Sequence, residues 1–134
     1  MASEYVLDGT RTTSLESFFK EFSDVALSGA RWGQNLDAFN DVLRGGFGTP
    51  VEGFTLRWRN SELARASLAY PETVRQLELR LERCHSSNRD SVRRDLSDAR
   101  RGVGPTVFDW LLEIISIHGP GGEEAEDRVL LILE

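Results

Sequence analysis

Three short apolar runs, EYVLD (residues 4–8), GFTLRW (53–58) and RVLLIL (128–133), stand far apart in the chain. Helix-patterned sequence, never a two-residue turn, fills each gap between them. Strands joined by such long crossovers pair in parallel, because a tight hairpin is the route to antiparallel neighbours. The expected fold class is therefore α/β, a small three-stranded parallel sheet packed with helices, in the order β-α-α-β-α-(insert)-α-β. RVLLIL is apolar at almost every position, which places it at the centre of the sheet, covered on both faces. A chain of 134 residues is long enough for one domain with a real core.

The connecting segments carry helix signals. Thr13 and Glu16 have capping-box spacing ahead of Leu15, Phe18, Phe19 and Phe22, predicting a helix over about 14–23. Asn35 caps a second helix that runs to Arg44 and is closed by Gly45 and Gly46. NSELARASLA (60–69) predicts a short helix with Asn60 as its cap, and TVFDWLLEIISI (106–117) a largely buried one. Beyond Pro71, the residues Val74, Leu77, Leu81 and Cys84 form a single apolar stripe on an amphipathic helix. The Ser-, Arg- and Asp-rich residues 86–104 read as mobile, with at most a turn of helix. Because loop closure costs little more as a loop lengthens, the fold is expected to tolerate a short linker in place of residues 71–104.

Charge is unevenly spread. The net value is −6, yet residues 57–101 hold 11 arginines against 7 acids, and the remainder 5 basic residues against 15 acidic ones. Acidic outer segments repel nucleic acid and attract basic partners. All basic residues but Lys20 are arginine, which suggests a GC-rich genome. The lone Cys84 excludes an internal disulfide and fits a reducing compartment. Met1 to Asp8 lack the basic start and apolar run of a signal peptide, and no apolar stretch approaches the roughly 18 residues of a bilayer span. A cytoplasmic protein without membrane attachment is expected.

Within NLDAFNDVLRGG (35–46), Asp37 and Asp41 fall one helical turn apart, where like charges repel by about 0.2–0.5 kcal/mol. On a helical wheel Ala38, Phe39, Val42 and Leu43 form the buried arc, and the two aspartates lie opposite its centre. Carboxylates ordinarily occupy such a solvated face, and Asp37 also gains from the helix dipole in the first turn. Asp41 lies one turn beyond that benefit, so the dipole leaves its position unexplained.

WGQNLDAFNDVLRGG, Trp32 to Gly46, resembles the signature of the barstar family, intracellular protein inhibitors of secreted microbial ribonucleases. The shared elements are an aromatic residue, Gly, a polar residue, Asn-Leu-Asp-Ala, and an aspartate four residues on. YVLDG before it, LRWRN after it and the terminal RVLLILE follow the family's layout, so the resemblance spans about 4–70 and 106–133 and leaves 71–104 without a counterpart. The resemblance implies that this helix and the loop before it plug a ribonuclease active site, with Asp41 in a phosphate subsite against catalytic arginine, lysine and histidine. By the same transfer Asn35 caps the helix, Gly33 permits close backbone approach, and Glu113 adds a second acidic contact. Trp32 either stacks at the interface or closes the edge of the core. Arg31 and Asn40 replace aromatic residues frequent beside the motif. Arg31 sets a cation next to the acidic face, and Arg44, at i+3 from Asp41, is placed to pair with it. The implied partner is a secreted ribonuclease with a basic cleft, bound by a protein that is monomeric when free. The alternative is an immunity or adaptor protein of the same fold that binds a different nuclease toxin or another basic protein.

Catalysis finds little support. Cys84 and His85 are adjacent, so on a helix they point about 100° apart and form no nucleophile–base pair. Two histidines, His85 and His118, and one cysteine are too few and too scattered for a zinc site; no cofactor or metal is expected. GPGGEE precedes a strand and lacks the helix that a phosphate loop requires. Nucleic-acid binding would rest on Arg89, Arg93, Arg94, Arg100 and Arg101, but Asp90, Asp95 and Asp98 dilute them and no aromatic residue lies among them.

Overall fold

The computed structural model describes residues 3–30, 32–45 and 48–134. Strands β1 (Ser3–Asp8), β2 (Phe54–Arg59) and β3 (Val129–Leu133) form one parallel sheet in the order β1-β2-β3, with Leu7 opposite Trp58 and Leu56 opposite Leu131. Alternation decides what each strand buries. Leu7, Phe54, Leu56, Trp58 and Val129 point into the core. On the other face Arg57 donates to Glu4 at 2.9 Å and also pairs with Glu134. The sheet is thus covered by helices on one face, and β2, not β3, is central. RVLLIL was expected at the centre because it is apolar throughout, yet Leu130 and Leu133 are 45% and 40% exposed. An edge strand on a half-open sheet tolerates apolar residues that no layer covers.

Helix α1 (Leu15–Ala26) begins one residue later than expected and ends three residues later. Its capping box is Ser14 with Ser17, not Thr13 with Glu16: Ser17 N–H donates to Ser14 Oγ at 3.1 Å, and Ser14 N–H to Ser17 Oγ at 2.8 Å. Two hydroxyls so close to the backbone satisfy the free donors and release Glu16 to bond Arg75 and Gln76. Phe18, Phe22 and the Phe39 ring of α2 (Leu36–Leu43) pack edge to face or stacked, beneath Trp58. Helix α3 (Ser61–Ser67) follows β2 without the expected cap. Asn60 sits in the left-handed region at φ 55°, where its side chain bonds Asp8 rather than the helix.

Helix α4 (Tyr70–Arg83) starts with Pro71 in its first turn, where a missing N–H costs nothing. A short 3₁₀ turn (Ser86–Asn88) leads into α5 (Arg89–Arg100). The expectation of a mobile segment over 86–104 is corrected here: most of it is a three-turn helix. Val92, Leu96 and Ala99 recur at i, i+4, i+7 and dock on Leu77, forming a small second core. Helix α6 (Val107–Ile117) is capped by Thr106 and Asp109 and is buried as expected. Its Trp110 packs against both cores.

The first turn of α4 is tied into the main body. Glu72, 8% exposed, accepts from the buried Leu15 N–H at 2.8 Å, and Thr73 Oγ1 accepts from Val107 N–H at 2.9 Å. Two residues of the 71–104 stretch therefore cap the starts of α1 and α6.

Candidate functional site

The loop before α2 is built from short-range bonds. Asn35 is extended at φ −138°, and its Oδ1 accepts from Ala38 N–H at 2.8 Å. Gly33 lies against that first turn, and a Cβ there would come within 2.9 Å of Ala38 Cβ. Gly33 therefore lets the chain approach the first turn of α2 closely. Trp32 is half-buried: its ring meets Phe19 edge-on at 5.4 Å and its indole N–H donates to Ser23. Trp32 thus packs at the edge of the core. Arg31 and Gly46 lie outside the described residues.

On α2 itself Phe39, Val42 and Leu43 are buried. Asp37 and Asp41 are exposed on the other side. The helix ends at Leu43. Gly45, at φ 92°, takes the left-handed turn, and its N–H donates to Val42 C=O. Asp37 makes no ion pair among the described residues. Asp41 does: Arg44 Nη1 donates to it at 2.7 Å, and Arg44 Nε donates to Glu124 at 3.1 Å. Glu124 in turn stands 3.3 Å from His118 Nδ1.

His118 is the part of this region that sequence reasoning missed. Its side chain is fully buried, with Nδ1 2.7 Å from Asp127 and Nε2 2.6 Å from the Asn40 side chain of α2. A network thus runs from Asp41 through Arg44 and Glu124 to His118, and back to α2 at Asn40. His118, Glu124 and Asp127 offer atoms within 4.8 Å of one another, a grouping that could hold a cation. His118 is already engaged by Asp127 and Asn40, and Glu124 by Arg44, so the cluster is a bonded clasp between α2 and the loop before β3. Asn40, where an aromatic residue is frequent beside the motif, was the available signal, since a half-buried amide on a helix calls for a polar partner.

Glu113 is exposed on α6, which packs against α2, and has no ion-pair partner among the described residues. No bond links it to Asp41. The structure joins Asn35 with Ala38 and Asp41 with Arg44, and leaves Asp37 and Glu113 as separate exposed carboxylates.

No helix among the described residues is long and apolar enough to cross a membrane. The profile of the family described as Barstar (barnase inhibitor) matches residues 2–95. That match holds all of α2 and continues through α4 into α5, whereas the motifs in the sequence skipped 71–104 and resumed at α6. Glu113 and β3 lie beyond it. No curated protein matches the chain.

Proposed function

The chain belongs to the barstar family, and we propose that it inhibits a secreted microbial ribonuclease by laying α2 into the enzyme's basic active-site cleft. The observation that carries this reading is the pair of exposed carboxylates, Asp37 and Asp41, on a helix fixed at both ends. Asn35 and Gly33 fix its start, and Gly45 and the Asn40–His118 bond fix its end. A ribonuclease must hold a phosphodiester, so its cleft is cationic. A rigid helix that presents anions pays little ordering entropy on entering it, and attraction between opposite fields speeds encounter. Asp41 takes the phosphate subsite and Asp37 flanks it. Trp32 and Ala38 support the helix from behind. Glu113 is a peripheral acidic contact, and Arg31 and Arg44 set cations at the margin of the face.

Residues 1–134 act as one domain, with a helical segment inserted at about 71–104, of which the family match covers the part up to residue 95, and the free protein is a cytoplasmic monomer. No catalytic step is assigned to it. A second reading has a specific observation in its favour. The Arg44 bond half-neutralises Asp41, which suits an immunity protein whose target nuclease differs from barnase in the charge of its cleft.

The test is an inhibition titration against barnase and a panel of other guanyl-specific microbial ribonucleases. One-to-one suppression of RNA cleavage by at least one of them is expected. Full activity of every enzyme with the protein in excess would overturn inhibition of that class.

A further inference from the structure

An open groove of about 760 Å³ is lined by residues of α1, the N-terminal end of α2, α4 and α6. Leu15, Phe19, Leu36, Leu79 and Ile114 give it an apolar lining. Its rims differ in charge. Asp37 stands on the α2 side, while Arg80 and Arg83 stand on α4. Arg80 lies over the Trp110 ring, 5.0 Å from its centroid, and Arg83 is exposed with no ion pair among the described residues. Glu16 is already engaged by Arg75 and Gln76. Among the described residues, an anion and a cation without ion-pair partners therefore flank one apolar trough.

We infer that this groove is a second contact with the ribonuclease, taking a loop of that enzyme with an apolar side chain between a cationic and an acidic residue. The cation meets Asp37, the apolar side chain enters between Phe19 and Leu79, and the acid meets Arg83. This rests on the reading of α2 above, with which the groove shares Asn35 and Asp37. A polyanion such as RNA is disfavoured by the carboxylates of Asp37 and Glu16 in its lining. The mixed rim suits a folded protein surface, which carries both signs of charge beside apolar side chains. Helix α4 then has two roles: its first turn caps the core, and its later turns, through Leu79 and Arg83, select among ribonucleases that share a basic cleft but differ beside it.

The test measures dissociation constants and rates, by immobilised binding, for the panel member bound most tightly. Arg83→Glu and Leu79→Gln are compared with Asp41→Ala and with Asp90→Ala on α5. Arg83→Glu and Leu79→Gln are each expected to weaken binding at least tenfold, through faster dissociation, with Asp90→Ala unchanged. Thermal unfolding of each variant is followed in parallel; if Leu79→Gln lowers stability, the exposed Arg83→Glu decides alone. Unchanged binding by Arg83→Glu, with binding lost by Asp41→Ala, would overturn the groove contact and leave the α2 reading standing. If the wild-type protein binds no ribonuclease of the panel, both fall together.

Discussion

Arg44 shows how one residue sets the strength of the acidic face. It bonds Asp41 at 2.7 Å while Glu124 holds it from behind, so part of the negative field is spent inside the molecule. An exposed ion pair of this kind is weak, because water screens it. Arg44→Ala should therefore tighten binding to a basic ribonuclease by about two- to fivefold, read as a titration of inhibition. Weaker binding would instead make Arg44 a direct contact to the partner. Glu72 gives a second prediction. Burial pushes its carboxyl up, but bonds from Arg75, Leu15 N–H and Gln76 outweigh that and hold it below its ordinary value. A carboxylate lowered on folding contributes stability that is complete above the unfolded value and is lost as pH falls through the folded one. Acid unfolding of Glu72→Gln should thus show a shallower loss of stability below about pH 4.3 than the wild type. Parallel loss in both proteins would contradict the assignment. At this scale the sequence was legible where a bond is short-range, as in Asn35 capping Ala38. It misled where hydroxyls compete, since Thr13, Ser14 and Ser17 all offer caps and only backbone geometry chooses. His118 was hard to read because its partner Asn40 lies 78 residues away in the chain.

Among the elements, α2 was legible in its bounds and in its buried Phe39, Val42 and Leu43, because apolar spacing at a helical period fixes the inner face. Helix α5 was not. Its stripe of Val92, Leu96 and Ala99 is narrow, with arginine and aspartate between, and it becomes a helix only because Leu77 offers a surface to cover. Tertiary burial overrides weak local preference here. Leu96→Ala should then lower stability by about 2–5 kcal/mol, followed as a drop in the thermal midpoint, with the far-UV helix signal partly lost if α5 melts first. No change would mean that α5 is not docked. Strand β3 was located correctly but misplaced in the sheet, since an unbroken apolar run marks a strand without saying how many neighbours it has. The capping bonds of Glu72 and Thr73 also change what a linker in place of 71–104 would do. It would leave Leu15 N–H and Val107 N–H without partners, each costing about 1–3 kcal/mol when buried.

Across the whole molecule, the basic stretch 57–101 folds into α3, α4, α5 and the end of β2, where many of its arginines find acids close by. Arg65 with Glu62, Arg75 with Glu72, Arg93 with Asp90 and Arg101 with Asp98 are local pairs. The excess of acid elsewhere is what a distant partner meets. Association with a basic ribonuclease should consequently slow as salt is added, because steering is screened beyond a Debye length of about 8 Å at physiological ionic strength. The role of the α2 face is tested most directly by comparing dissociation of the ribonuclease complex for wild type, Asp41→Ala, Asp37→Asn and Asp90→Ala under one buffer. Asp41→Ala should dissociate far faster, a loss of roughly 2 kcal/mol or more, with Asp37→Asn affected less and Asp90→Ala unchanged. Equal dissociation rates for Asp41→Ala and Asp90→Ala would contradict it, because the exposed face of α2 would then be ordinary surface.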